Sequence, residues 1–581
     1  MDAAVGALAG ELPESAAVVA LGGYGRRLLL PGSDVDLMVL HDGLDRIGQT
    51  AERIFYPLWD TGIHLGHAVR TIDECLDGAR QRIDVACSLL DARWVAGRHD
   101  SVEDLRNRLL AELRKAPDDF LARLREDAED RHGRFPAVSM ALEPDLKEGA
   151  GGLRDLHSVR WAARVSGTVL HDRQTANLDA AEEFMVRVRS ALHLEAGRRT
   201  DRLVAGYQPA IAAAFGFEAT VGLEATDALM RALFEHARDV EHLRSTMLAP
   251  GAGAAVVDPP TTPDEVVEAF ASAARAGSAP GQGIVEAVAG ADLGSPPYPW
   301  TERGRQAFLD ILAAGGAGAR SLEAMDRAGV LVGFLPEWEP VRCRPQRNPY
   351  HRFTVDVHLL RTAENAARAL SGEGNDPILR VACGAIDDPD ALLLGALLHD
   401  IGKTGGSGHT ETGRRIAEGA FERMGIDGRT REDALFLIGH HLLLADTAVR
   451  RDLEDQNLVL DVAATVGDPR RLAMLYVLTV ADADATGSQA ASPWRLALVR
   501  DLVGKVQHVL ESGDMGPDRA AVLTDRLRAI AGRLHREEPG SVRAYLARLP
   551  RPYVLAVDPD VAAAEFRLIA PPIGAAEVRT A

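Results

Sequence analysis

The chain has 581 residues, a length that favours several domains over one hydrophobic core. Forty-six per cent of its residues are apolar and few are aromatic, as in an ordinary soluble, mainly helical protein. The formal net charge of −20 argues against a lasting complex with nucleic acid, although a local basic patch can still hold one nucleotide.

The first 100 residues read as a small sheet. Residues 16–21 (Ala-Ala-Val-Val-Ala-Leu) and 34–40 (Asp-Val-Asp-Leu-Met-Val-Leu) have strand character, and in the second Val35, Leu37 and Val39 share a face. A third strand is predicted over 63–70. From about 101 to 248 the text is Arg, Glu, Ala and Leu at helical spacing, broken at Phe135-Pro136 and at 148–152. The Pro- and Gly-rich stretch 249–263 reads as a linker. A second punctuated stretch, 277–299, precedes helices at about 302–315 and 321–328, and the helical pattern is nearly unbroken over 354–510. The tail is helical to about 549. The domains expected are therefore 1–100, a helical companion 101–248, the linker, a helical connector 264–345, an all-helical domain 346–515 and a helical tail 516–581.

The four cysteines (Cys75, Cys87, Cys343, Cys383) form no C-x-x-C pair, which speaks against a disulfide framework or zinc knuckle and for a reducing cytoplasm. No basic leader opens the chain, and no apolar run nears the roughly 20 residues that span a bilayer, so no membrane association is expected.

Asp34 and Asp36, at positions i and i+2 of a strand, place two carboxylates on one face about 7 Å apart at the backbone. Such a pair suits two hard cations, Mg²⁺ or Mn²⁺, that activate an attacking oxygen and steady a departing diphosphate. Upstream, Gly22-Gly23-Tyr24-Gly25-Arg26 ends a strand. There the missing side chains let backbone N–H groups approach a triphosphate, and Arg26 or Arg27 can meet phosphate charge. The segment fails the dinucleotide fingerprint because Leu28 stands where its third glycine belongs. Strand, Gly-Gly turn and second strand opening with both aspartates resemble the nucleotidyltransferase fold of the polymerase beta type. Sites of that kind usually add a third carboxylate from a neighbouring strand. Here 66–71 offers no acid, which leaves Asp84 as the nearest later candidate.

Later in the chain, His358, His399-Asp400 at the end of an apolar helix, and Asp482 give the order H…HD…D, and His409, His440 and His441 add ligands for a second metal. An imidazole and a carboxylate can converge on one ion at a helix end, and a metal held in this way makes hydroxide from bound water near neutral pH. Order and setting resemble the HD-domain metal-dependent phosphohydrolases. Gly402-Lys403-Thr404 is not a P-loop, since Leu397 stands where its first glycine is required.

Three stretches narrow the resemblance: 22–40; 144–156, with K-E-x-x-G-G-L-R-D from Lys147 to Asp155; and 350–358 (Tyr-His-Arg-Phe-Thr-Val-Asp-Val-His). Together with 191–203 and 480–487 they resemble the bifunctional PII uridylyltransferase/uridylyl-removing enzymes over about 18–560. The fold this implies is α+β and predominantly helical: a small mixed-sheet nucleotidyltransferase domain, then helical domains that include an all-α HD domain.

The activity implied is transfer of UMP from UTP to a tyrosine of the signalling protein PII, and hydrolysis of that linkage at the HD site, in the regulation of nitrogen metabolism. The catalytic residues implied are Asp34, Asp36, His399 and Asp400. Gly22, Gly23, Gly25, Arg26 and Ser33 would bind nucleotide, and Lys147 and Arg154 are further candidates. The metal ligands implied are Asp34 and Asp36 at one site and His358, His399, Asp400, His409, His440, His441 and Asp482 at the other, with Mg²⁺ or Mn²⁺ at both.

Two departures from the family stand out. Only a short segment precedes the Gly-Gly turn, and the chain stops after Pro571-Pro572 without the two glutamine-sensing ACT domains. Both chemistries are expected, and direct glutamine control is not. Rival readings are adenylylation of PII from ATP, a tRNA CCA-adding nucleotidyltransferase with an HD domain, and a catalytically silent PII-binding regulator.

Overall fold

The computed structural model describes residues 1–10, 12–249, 259–346, 353–373, 376–405, 408–512, 517–549, 553–554 and 557–569. Most of the expected linker 249–263, Tyr350 to Arg352 of the third motif, and Pro571 to Ala581 lie outside them. The chain divides into two compact units, Met1–Glu364 with Asp400–Ile426, and Asn365–His399 with Asp427–Ala581. Among the described residues no helix is long and apolar enough to cross a membrane.

The first unit carries a four-stranded mixed sheet in the order β3-β2-β1-β4. Its strands are β1 (Ala17–Ala20), β2 (Val35–Leu40), β3 (Leu65–Arg70) and β4 (Arg93–Gly97). β1 runs antiparallel to β2 and β4, and β2 runs parallel to β3. The three strands read from the sequence are present. β4 was not anticipated, because Arg93-Trp94-Val95-Ala96-Gly97 is short and lacks a clean alternation.

Both faces of the sheet are covered. Val35, Leu37 and Val39 pack with Ile54, Phe55 and Leu58 of the helix Ile47–Asp60, while Met38 and Leu40 on the other face join Cys75, Leu89 and Leu90. Asp36 shares the face of Met38 and Leu40, as the period of two requires. It therefore emerges at the end of that face, where the apolar lining stops.

The helical part of this unit follows the predicted breaks. Pro117–His132, Leu153–Ser166, Asp172–Ala196 and Ala225–Met247 are its main helices, and the breaks at Phe135-Pro136 and 148–152 fall between the first two. Two predicted helices appear as Glu302–Ala313 and Gly315–Arg327, the second beginning earlier than the expected 321.

The helix Ala225–Met247 ties separate segments together. Arg244 reaches Asp155, and Arg238 forms a bidentate pair with Asp356 at 2.5 and 3.0 Å. Asp356 also accepts from the backbone N–H of Cys343 and of Val357, so this carboxylate fixes the first turn of the helix Val355–Leu370, two residues from His358.

The second unit is helical. The helix Pro389–Leu398 is buried along its whole apolar length and packs on Gly428–His440 through Gly395, where an added Cβ would lie 2.9 Å from Leu437 Cδ1. Pro469–Thr486, capped by Asp468, carries Asp482. The tail is helical at Pro517–Arg533 and Pro539–Arg548, and a further helix lies at Pro559–Ile569.

Candidate active sites

A cleft in the first unit is lined by Gly22, Gly23, Arg26, Ser33, Asp34, Asp36, Asp84, Lys147, Arg154 and Arg199, among others. The two aspartates that the strand period predicted to be neighbours thus open into one space. Gly22 holds a left-handed φ of 50°, and a Cβ there would stand 3.1 Å from Asp36 Oδ2. Directly across the parallel register, a Cβ on Gly66 would come within 2.1 Å of Asp36 Oδ1. The Asp36 carboxylate therefore lies between two glycines, and the strand that offered no third acid offers room instead.

Burial raises the Asp36 pKa, the charge of Asp34 adds to the rise, and Lys147, Arg199 and Arg26 oppose it. Cationic side chains surround the pair despite the net negative charge of the chain. Asp34 is gripped by Arg199 Nη1 at 2.6 and 2.5 Å from its two oxygens, a guanidinium where a cation is wanted. Arg199 was not singled out in the sequence, because it lies 165 positions from its partner. It lies in the 191–203 stretch that helped carry the family resemblance, just after the helix Asp172–Ala196, but no role was read for it there.

The K-E-x-x-G-G-L-R-D segment divides its labour. Asp145 Oδ1 accepts from the N–H of Lys147 and of Glu148, and the N–H groups of Leu153 and Arg154 donate to the carbonyls of Leu146 and Lys147, which holds Lys147 and Arg154 side by side on the cleft. A Cβ on Gly151, at φ 78°, would meet Ala237 O at 2.3 Å, so only glycine fits there. Asp155 faces away from the cleft. Fully buried, it accepts from Arg131 at 2.8 Å and from the Gly151 N–H at 2.9 Å, with His132 and Arg244 at 3.0 and 3.2 Å. Burial disfavours its charge, but His132 and Arg131 outweigh that and its pKa falls.

Other proposed nucleotide residues divide in the same way. Arg26 lines the cleft, pairs with Asp91 and stands over the Trp161 ring. Ser33 also lines it, its Oγ accepting from the Leu30 N–H at 3.0 Å. Gly25 does not line the cleft. Its place is set by packing, since a Cβ would collide with Asp91 O at 2.2 Å. Asp84 reaches the rim, where Arg82 grips both its oxygens at 3.1 and 2.5 Å.

Members of the histidine and aspartate set occur in both units. In the first, Asp400 has His358 Nε2 and His409 Nε2 each at 3.6 Å and Lys403 Nζ at 2.6 Å. Gly402 lets the backbone pass, for a Cβ there would lie 2.0 Å from His409 O. In the second, His399 Nε2 is 3.7 Å from Asp482 Oδ1 and its ring meets that of His441 edge-on at 5.0 Å. The Nδ1 atoms of His399 and His441 lie 2.9 Å from the carbonyls of Ala396 and Ile438, an arrangement that points each Nε2 away from its own helix backbone. His358, His399, Asp400, His409, His441 and Asp482 all fall in groups whose donor atoms could hold metal ions. His440 falls in none of them: its ring stacks on Phe436 at 4.6 Å and its Nδ1 faces the Phe436 carbonyl.

Residues 119–248 match the family model described as GlnD PII-uridylyltransferase, and residues 355–487 match the HD domain. A bifunctional uridylyltransferase/uridylyl-removing enzyme of Streptomyces coelicolor is 37% identical over 86% of this chain and 62% of its own length. One from Mycobacterium tuberculosis is 35% identical over 85% and 64%, and one from Phenylobacterium zucineum 33% over 88% and 60%. The chain therefore spans a little under two thirds of the length of these relatives.

Proposed function

We propose that the chain transfers UMP from UTP to a tyrosine of a PII signalling protein at the Asp34–Asp36 cleft, and hydrolyses the same linkage through its HD residues. The observation that carries the first half is the convergence of Asp34 and Asp36 with Lys147, Arg154 and Arg199 on one cleft. The paired carboxylates and the neighbouring cations form the donor set and the counter-charge that a metal-bound triphosphate needs.

Asp34 and Asp36 would hold Mg²⁺ or Mn²⁺, which when bound supplies charge neutralisation of the triphosphate and of the departing diphosphate. Gly22 and Gly23 line the cleft without side chains, which lets a triphosphate come close to the backbone. Lys147 and Arg154, fixed together by their backbone bond, orient phosphate oxygens. The tyrosine oxygen attacks the α-phosphorus, the bond to the β-phosphate oxygen breaks, and the phenolic proton leaves to solvent or base.

For the reverse activity, His399, Asp400, His358, His409, His441 and Asp482 would hold the metal or metals that provide hydroxide. Water then cleaves the bond between phosphorus and the tyrosine oxygen, which is a different reaction from the transfer run backwards. Lys403, at 2.6 Å from Asp400, stands beside that set with a positive charge for a phosphate oxygen.

Mass spectrometry of PII after incubation with the protein, mixed UTP and ATP, and Mg²⁺ tests target, base and forward activity together. A mass increase of one UMP on a tyrosine is expected. An AMP adduct would replace uridylylation by adenylylation, and PII left unmodified would overturn the proposal.

A further inference from the structure

A second cavity, of about 450 Å³, lies in the first unit away from both sets of residues, among the helices Asp172–Ala196, Ala225–Met247, Gln282–Ala289 and Gly315–Arg327. Its size is that of a small-molecule site. Most of its polar lining is already partnered. Gln174 donates to Glu286 at 3.0 Å, His171 lies 3.6 Å from the same carboxylate, and Arg173 donates to the Ala289 carbonyl.

Two opposite charges remain. Arg327 forms no hydrogen bond or ion pair among the described residues, and its Nε is buried without a partner. Among the described residues, Asp239 has only the amide of Asn177, at 3.2 Å, as a hydrogen-bond donor. Both line the cavity, yet they do not meet as an ion pair. Burial works against the charge of each, lowering the Arg327 pKa and raising that of Asp239, so both gain from an opposite charge brought between them. The rest of the wall is His242, which burial holds neutral, and the apolar Leu243, Val285, Ala289 and Ala328.

We infer that this cavity binds a small zwitterion of the α-amino-acid class with an apolar side chain. Its carboxylate pairs with Arg327, its ammonium group with Asp239, and its side chain packs on Leu243 and Val285. The inference is independent of the two reactions proposed above, because none of these residues belongs to either set.

Isothermal titration of the full chain with L-leucine, L-valine and L-methionine tests it, with 4-methylpentanoate and 3-methylbutylamine as analogues of leucine that each lack one charge. At least one amino acid is expected to bind and to raise the melting temperature, with each single-charge analogue at least tenfold weaker than leucine. Arg327→Leu and Asp239→Asn should each abolish the heat of binding, and Arg327→Lys should retain part of it. The proposal is overturned if none of the three amino acids binds, or if binding survives both Arg327→Leu and Asp239→Asn. The analogue series on the unaltered protein decides the matter even where a variant does not fold.

Discussion

Removing the Arg199 guanidinium should move metal and nucleotide binding in opposite directions. Arg199 holds both oxygens of Asp34, and the two side chains are 42% and 37% exposed, so the pair belongs with surface ion pairs. Such a pair is worth about 0.2–1 kcal/mol, which a cation must overcome to reach the carboxylate. Arg199→Ala should therefore tighten nucleotide-free Mn²⁺ binding by up to about fivefold, the equivalent of about 1 kcal/mol. If Arg199 turns to the triphosphate once the cation has taken Asp34, the same variant loses a charged hydrogen bond of about 1.5–3 kcal/mol, and the UTP affinity in Mg²⁺ falls roughly tenfold or more. Electron paramagnetic resonance of free Mn²⁺ reads the first effect, and titration with a non-hydrolysable UTP analogue reads the second. A purely architectural arginine would weaken both on removal, and that outcome, or no change in either, would refute the reasoning.

Other predictions concern the two reactions and the scaffold. Asp34→Asn or Asp36→Asn should abolish nucleotide transfer to PII and spare its removal, whereas His399→Ala with Asp400→Ala should do the reverse; loss of both activities from either change would count against two separate sites. Gly66→Ala should displace the Asp36 carboxylate, lowering transfer at least tenfold while the circular dichroism spectrum and uridylyl removal stay unchanged. Asp155→Ala leaves Arg131, His132 and Arg244 without their shared buried carboxylate and should cost about 3–5 kcal/mol, read as an earlier urea transition of the first unit. His157 and His242 are held neutral by burial, each with its pKa lowered to about 4 from 6.5. The unfolded chain takes up protons at these positions between those values and the folded chain does not. Stability should therefore fall as pH drops from 6.5 towards 4, and His242→Asn should flatten that slope.

The sequence discloses a chemical group most readily when the regularity of one element places it. Asp34 and Asp36 were legible because a strand repeats every two residues, and His399-Asp400 because an apolar helix ends there. Arg199 and the space at Gly66 were not. The first depends on a loop brought from far along the chain, and the second on a register between strands, which no local pattern encodes. Asp155 and Asp356 show the opposite effect. Each belongs to a conspicuous motif that invites a catalytic reading, yet both are buried anchors, while their neighbours line the cleft (Arg154) or fall in a group that could hold a metal (His358). His440 and Gly25 were grouped with functional neighbours by adjacency alone, and their surroundings give them packing roles. β4 was missed because its pairing with β1, and not its own composition, makes it a strand.

The helix Ala225–Met247 carries Arg238 and Arg244 less than two turns apart, at 1.5 Å of rise per residue. Through Asp356 and Asp155 it is the common ruler against which the arginine proposed to bind phosphate and the histidine proposed to bind metal are both set. Selection on one reaction thus constrains the other through a rod that touches neither substrate. A drift in this helix would be felt twice, so its sequence should tolerate change less than either binding surface alone would require.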